Sequence, residues 1–312
     1  MKKKSIVVVG SSNTDMVIRC ERIPRPGETV LGGAFSTAAG GKGANQAVAA
    51  ARAGGDVVFV SRVGDDSMGQ QAIEGFVREG IGVKHVVVDR KHPSGVAFIA
   101  VDARGENSIA VAGGANQHLS AADIRKAREE LTSAAVVVMQ LEVPLASVVA
   151  AARIAHTAGA CTILNPAPAC PLPPELLQTI SILTPNESEA SLLTGITVNG
   201  KRSAIQAATR LQDLGVGTVM VTMGAKGVLV KTSSACRLLP AFPVKVVDTT
   251  AAGDVFNGAL AVALAEDRAV WEAVTFANAA AALSVTCLGA QPSAPRRRAI
   301  VRMVSQAATK GI

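Results

Sequence analysis

Short Val- and Ile-rich runs alternate with Ala-rich stretches of helical spacing along most of this chain, and few folds satisfy that alternation. Strand candidates fall at 5–9, 57–60, 135–139, 161–164, 181–183, 218–222, 227–231 and 244–247. Several are continuously apolar, as strands buried on both faces of a parallel sheet must be. Between them lie helical patterns such as 43–53, where Ala44, Ala47, Val48 and Ala51 share one face and Gly54 and Gly55 stop the helix. The pattern predicts an α/β fold, a doubly wound and mostly parallel sheet flanked by helices. With 312 residues, 49% of them hydrophobic, the chain can fill the core such a sheet needs.

One region breaks the rhythm. Between the first strand and helix 43–53 lies a long segment with its own strand-like stretches, 16–20 and 28–37. A second such segment, 95–114, reads as a hairpin turning around Asp102 and Gly105. Connections this long in a compact domain are usually functional. Together they predict a small β-sheet lid, residues 15–40 and 94–114, over a large domain made of 1–14, 41–93 and 115–312. The prolines at 166, 168, 171, 173 and 174 mark a stiff loop, not a domain boundary.

Composition removes several function classes. Aromatic residues are 3% of the chain, with no Tyr and a single Trp, Trp271, so stacking platforms for single-stranded nucleic acid are not expected. The net charge of +7 is dispersed apart from 2–4 and 296–298, which read as solvated charge near the ends. Five cysteines at irregular spacing fit reduced thiols in a cytoplasmic protein. The four histidines form no zinc-ligand spacing. Residues 2–9 are too short in apolar length for a signal peptide, and the apolar stretches 255–265 and 273–285 are broken by Asn257 and Asn278.

The richest stretch is VVDTTAAGDVFNGA, 246–259. An apolar strand ending at Val247 leads into a turn of small residues, and Asp254 opens a long Ala-rich helix. Small residues at a helix start let backbone N–H groups reach an anion. A carboxylate there would repel a bound phosphate, unless its task is to take a proton from an attacking hydroxyl. Simple helix capping by Asp254 explains the same residues equally well.

Four other segments carry polar residues at strand ends or helix starts. Gly40, Gly41 and Gly43 precede helix 43–53, with Lys42, Asn45 and Gln46 at its mouth, yet neither a Walker loop nor a dinucleotide fingerprint is complete. These residues fit a lid hinge or a grip on a polyhydroxyl ligand. Asn13 and Asp15 follow the first strand, where open α/β sheets bind ligands, and Glu142 follows strand 135–139. Asn186 and Glu189, three apart, fit a capping box and equally an outer-sphere Mg²⁺ role. The segment 219–230 is a hairpin whose glycines let backbone approach a nucleotide.

Taken together, the Gly40-Gly41-Lys42-Gly43-Ala44-Asn45 segment, Gly64-Asp65-Asp66 and the 248–254 turn resemble the ribokinase-like carbohydrate kinases of the phosphofructokinase-B type. Ser12-Asn13-Thr14-Asp15, Gln140-Leu141-Glu142 and Gly289 to Ser293 strengthen the resemblance, which spans essentially the whole chain in order. It implies ATP-dependent phosphorylation of the 5-hydroxyl of D-ribose, dependent on Mg²⁺ and activated by a monovalent cation, normally K⁺. Asn13, Asp15, Gly41, Lys42, Asn45 and Glu142 match positions that hold sugar hydroxyls. Asp254 matches the general base, and the N–H groups of Ala252 and Gly253 match the anion hole. Asn186, Thr222, Gly224, Gly227, Gly253 and Asn278 match the nucleotide side, with Glu189 positioning Mg²⁺ through water. Asp248, Thr250, Ser284, Cys287, Gly289 and Ser293 match the monovalent-cation loops, mostly through backbone carbonyls. Ala251 stands where much of the family carries Gly, at little cost if the position accepts a Cβ. The resemblance also implies a homodimer formed through the lid. Another sugar or nucleoside kinase, or a sugar sensor without turnover, are the alternatives.

Overall fold

A computed structural model describes residues 4–309, so Lys2 and Lys3 of the N-terminal basic run lie outside the described residues. In chain order the strands are β1 (Ser5–Val9), β2 (Asn13–Arg19), β3 (Ala34–Gly40), β4 (Asp56–Gly64), β5 (Gly82–Asp89), β6 (Gly95–Val101) and β7 (Asn107–Ala112). They continue with β8 (Val136–Met139), β9 (Cys161–Leu164), β10 (Ile182–Leu183), β11 (Thr218–Thr222), β12 (Val228–Lys231) and β13 (Cys236–Leu239).

Nine of these strands form the main sheet in the order β13-β12-β11-β10-β9-β8-β1-β4-β5. Pairing is parallel except where β12 runs antiparallel to β11 and β13. The central strand β1 explains why a continuous apolar run is required. Ile6 and Val8 pack with the helices Lys42–Arg52 and Ala252–Ala265, while Val7 and Val9 point the other way, onto the helix Leu145–Thr157. All four are fully buried. Alternation of side chains along a strand feeds both cores at once.

The two segments that interrupt the rhythm form a separate four-stranded sheet in the order β3-β2-β6-β7. Its outer strands are largely exposed, as are apolar side chains on both faces, Ile18, Phe35 and Phe98 on one and Ile109 and Val111 on the other. The expected hairpin at 95–114 is β6–β7. The earlier strands begin and end differently from the expected 16–20 and 28–37: β2 starts at Asn13, and residues 28–33 are irregular.

Two expectations fail. The stretch 244–247 is not a strand; residues 240–247 are irregular. Pro240 and Pro243 remove ladder donors from the segment that leads into it, and Val244 and Val246 line a cavity instead. Asp254 does not open its helix either. The helix starts at Ala252, after Ala251, and Asp254 lies in the first turn with no capping bond. Among the described residues, no helix is long and apolar enough to cross a membrane. All five cysteines are free thiols. The basic group at 296–298 is partly paired: Arg297 meets Glu266 at 2.6 Å and Arg296 meets Glu79 at 3.5 Å.

Candidate active site

Close helix packing places the acidic side chain that matters most. Helix Ala252–Ala265 lies against helix Lys42–Arg52, and Gly258 is the point of approach. A Cβ there would stand 2.6 Å from the Gln46 carbonyl oxygen and 2.8 Å from the Ala49 methyl. Because the helices come this close, Asn45 and Gln46 reach Asp254. Asn45 Nδ2 donates to Asp254 Oδ2 at 3.0 Å, and Gln46 Nε2 donates to Asp254 Oδ1 at 2.9 Å. Burial raises the Asp254 pKa, the nearby Lys42 charge and these two amide bonds oppose the rise, and the Glu142 charge adds to it. Asp254 is therefore a desolvated carboxyl gripped at both oxygens by side chains of one neighbouring helix, not a helix cap.

A second carboxylate group gathers where β1 gives way to β2. Glu142 Oε2 accepts from Lys42 N at 2.9 Å and from Ser11 Oγ at 2.5 Å. Gly41, the residue before the helix, has φ 88°, and a Cβ on it would lie 2.7 Å from Asn13 N. Only glycine permits both the left-handed backbone and that approach. Asp15, on β2, has its pKa raised to about 6, first by burial and then by the charges of Glu142 and Asp254. Asn13 Oδ1 accepts from Asn116 Nδ2 at 2.7 Å. Asp15, Asn45, Glu142 and Asp254 thus form one acidic and amide-rich hollow between the two sheets.

On the other side of Asp254 opens a cavity of about 900 Å³. Asn186, Glu189, Thr222, Gly224, Gly227, Gly253 and Asn278 line it, together with Lys42. Phe242, Val244, Val246 and Val285 give it an apolar wall. Lys42 was expected with the sugar-holding residues. Its charge lowers the pKa values of both Asp254 and Glu189, so it sits at the junction of hollow and cavity. Gly253 faces this space, since a Cβ there meets nothing within 4 Å. The first N–H groups of helix Ala252–Ala265 have no partner within the helix, and Asn257 Nδ2 steadies that turn by donating to Gly253 O at 2.8 Å.

The Asn186–Glu189 capping box is complete: Asn186 Oδ1 accepts from Glu189 N at 2.8 Å, and both Glu189 oxygens accept from Asn186. Burial nonetheless raises the Glu189 pKa. With both oxygens already engaged, this carboxylate suits an outer-sphere contact with a hydrated Mg²⁺ better than a direct one.

The segments around 248 and 285–289 are joined. Val247 N donates to Val285 O at 2.7 Å, and Gly289 N donates to Asp248 Oδ2 at 2.8 Å. Thr250 Oγ1 donates to Asp248 Oδ1 at 2.6 Å. The Ser284 and Ser293 hydroxyls are turned to the carbonyls of Ala281 and Ala290. An oxygen-rich turn of this kind, with Asp248 at its base, fits a hard monovalent cation. Cys287 is exposed.

Asn116 and Asn165 are not singled out by the sequence, and Gln140 is marked there only as part of the Gln140-Leu141-Glu142 segment, with no role of its own. Asn116, Gln140 and Asn165 are buried amides that hold Asn13, Gln46 and each other's neighbours. No local spacing marks them, because each acts across more than 90 positions of chain. Ala251 has φ 58° and ψ 13°, so its Cβ carries a backbone cost that the sequence did not reveal.

Comparison with known proteins agrees with this geometry. Residues 3–297 match the family described as pfkB family carbohydrate kinase. A Haemophilus influenzae protein named ribokinase is 46% identical over 305 residues, covering 98% of this chain and all of that one. A Salmonella typhi deoxyribokinase is 39% identical over 291 residues, covering 93% of this chain and 95% of that one. A solved structure of Arabidopsis thaliana ribokinase, complexed with ribose and ATP, superposes with a TM-score of 0.90 at 36% identity, covering 97% of this chain and 99% of that one. A nine-stranded sheet, a small second sheet, a buried carboxyl at a helix start and a family match over nearly the whole length lead to one statement: this chain belongs to the pfkB family of carbohydrate kinases.

Proposed function

We propose that this protein is an ATP-dependent ribokinase that phosphorylates the 5-hydroxyl of D-ribose to give D-ribose 5-phosphate and ADP. The observation that carries this reading is the position of Asp254, at the junction between an acidic, hydroxyl-binding hollow and the large cavity. The relatives named for ribose phosphorylation, and the solved relative that holds ribose and ATP, support the same substrates.

In this mechanism Asn13, Asp15, Gly41, Asn45 and Glu142 accept and donate hydrogen bonds to the sugar hydroxyls, and Lys42 bridges the hollow to the nucleotide cavity. Asn186, Thr222, Gly224, Gly227 and Asn278 border the nucleotide, whose adenine lies on the apolar wall. Asp254 takes the proton from the attacking hydroxyl. The N–H groups of Ala252 and Gly253 hold the oxygens of the transferring phosphoryl group, aided by the helix dipole. Mg²⁺ carried with ATP supplies charge neutralisation on the phosphates, and Glu189 would orient it through water. Asp248, Thr250, Ser284, Cys287, Gly289 and Ser293 would enclose K⁺, chiefly through backbone oxygens. The small sheet, residues 15–40 and 94–114, acts as a lid that excludes water, which would otherwise accept the phosphoryl group. Two copies pair through this lid, burying the apolar set around Phe35 and Phe98 and the open edges of β3 and β7. The free thiols are in keeping with a cytoplasmic setting.

A coupled ADP-release assay across ribose, deoxyribose, fructose and adenosine, with K⁺ or Na⁺ as the cation, tests the reading. Ribose gives the highest kcat/KM, K⁺ outperforms Na⁺, and Asp254→Asn lowers turnover by about 100-fold or more while ATP binding persists. Ribose binding with no ADP release would make the protein a sugar sensor. A preference for deoxyribose would place it with the deoxyribokinase relative instead.

A further inference from the structure

The bonds that reach Asp254 continue behind it. Gln46 is fully buried, and every polar atom of its amide is committed. Its Nε2 donates to Asp254 Oδ1 at 2.9 Å and to Asn165 Oδ1 at 3.2 Å, while its Oε1 accepts from Gln140 Nε2 at 2.6 Å. Gln140, also fully buried, follows β8 in the centre of the sheet. Gly10 leaves it room, since a Cβ at position 10 would stand 2.0 Å from Gln140 Oε1.

An amide can turn over and exchange its oxygen for its nitrogen at almost no steric cost. Asn165 removes that freedom: its Nδ2 donates to the Thr184 carbonyl at 3.2 Å, so its Oδ1 must face the Gln46 nitrogen. With that nitrogen fixed, the Gln46 oxygen accepts from Gln140 and the nitrogen also faces Asp254. A donor fixed on Oδ1, with the Asn45 donor on Oδ2, favours the ionised carboxyl over the protonated one. Each carboxylate oxygen still has a lone pair for an incoming hydroxyl. Burial pushes Asp254 toward its protonated form, in which it cannot accept a proton, and the Lys42 charge and the Gln46 and Asn45 bonds oppose that push while the Glu142 charge adds to it.

We propose that Gln46, locked in orientation by Asn165 and supported by Gln140, is a positioning residue that holds Asp254 in its proton-accepting state, and that neither glutamine contacts the sugar. This inference rests on the assignment of Asp254 as the base. It separates two neighbours in sequence: Asn45 serves both sugar and base, Gln46 the base alone.

The test is a set of pH–rate profiles of the full-length enzyme with ribose and MgATP. Gln46→Met keeps length and removes the donor. The acid limb of its kcat profile moves up by about one pH unit, so turnover falls about tenfold near pH 6 and recovers toward the native value at high pH. The KM for ribose stays within about threefold of native, because no sugar contact is lost. Gln140→Met shifts the limb the same way by a smaller amount, and it serves as the second variant if Gln46→Met does not fold. A native-like acid limb in a folded variant overturns the inference, as does a uniform loss at every pH or a large rise in ribose KM with kcat unchanged. Asp254→Asn in the same assay keeps the two readings apart. Full turnover in that variant removes the base assignment itself, whereas an inactive Asp254→Asn beside a native-like Gln46→Met profile removes only the role of Gln46.

Discussion

Asn116, in the short turn of helix that follows the β6–β7 hairpin, donates through Nδ2 to Asn13 Oδ1 at 2.7 Å. The same side chain pairs with the Ser12 backbone, accepting from its N–H at 2.9 Å and donating to its carbonyl at 3.0 Å. One buried amide therefore ties the end of the lid hairpin to the start of β2 and fixes the rotamer of a proposed sugar ligand. Gly95 completes the joint, since a Cβ there would lie 2.2 Å from Asn13 Oδ1.

Asn116→Ala leaves the Ser12 backbone groups buried and unpaired, which costs about 1–3 kcal/mol of stability. It also frees Asn13. Ribose KM rises by about 10-fold or more while kcat changes less, because the loss falls on binding that is the same in ground and transition states. Urea unfolding and steady-state kinetics on one preparation check both parts. An unchanged KM would show that Asn13 does not need this tie.

Asp15 gives a pH dependence of known sign. With its pKa raised to about 6, it binds a proton below that pH and stops accepting sugar hydroxyls. Ribose KM therefore rises as pH falls through about 6, and Asp15→Asn shows a high KM that no longer varies there. Stability follows the opposite course. A carboxyl whose folded pKa lies above its unfolded value destabilises the fold once it ionises, so the cost appears as pH rises from the ordinary carboxylate range to about 6. Asp15→Asn accordingly melts at a higher temperature than native protein at pH 8 and at the same temperature at pH 3.5. A melting gain that is equal at both pH values would point to packing rather than charge.

Gly253 separates stability from activity. A methyl group there meets no atom within 4 Å, so Gly253→Ala folds without a clash and gains up to about 1 kcal/mol of helix propensity. That methyl projects into the space assigned to the transferring phosphoryl. Turnover drops by about 10- to 100-fold, in the range of losing one anion-hole contact. Thermal melting and kcat should move in opposite directions, and a variant of native turnover would dissociate the anion hole from this turn.

The parts of this molecule that were legible in the sequence are those governed by short-range patterning. β8, and β1 after Ser5, are continuous apolar runs because they are buried on both faces, and the Asn186–Glu189 box is local by construction. The stretch 244–247 misled because Val244 and Val246 serve a cavity wall, and an apolar run reads the same whether a strand or a ligand covers it. Asp254 was ambiguous between cap and base for a related reason. Its partners lie more than 200 positions away, on a helix that only tertiary packing brings near. Buried amides such as Asn116 and Gln140 leave no periodic signature at all.

Ala251 supplies the last case, in which sequence suggested tolerance and the backbone shows a cost. At φ 58° it occupies the left-handed region, immediately before the helix that carries the anion hole. For a residue with a Cβ that conformation costs about 1–2 kcal/mol. Ala251→Gly relieves it, although glycine adds about 0.4–1 kcal/mol of freedom to the unfolded chain. The net result is a gain of up to about 1.6 kcal/mol, seen as a higher urea midpoint at unchanged slope. Ala251→Val goes the other way, because a β-branched side chain suffers most in this region. It loses about 1–3 kcal/mol and, by forcing the turn to a new φ, lowers kcat as well. Equal urea midpoints for the Gly, Ala and Val proteins would mean that position 251 is not held in the left-handed region in solution.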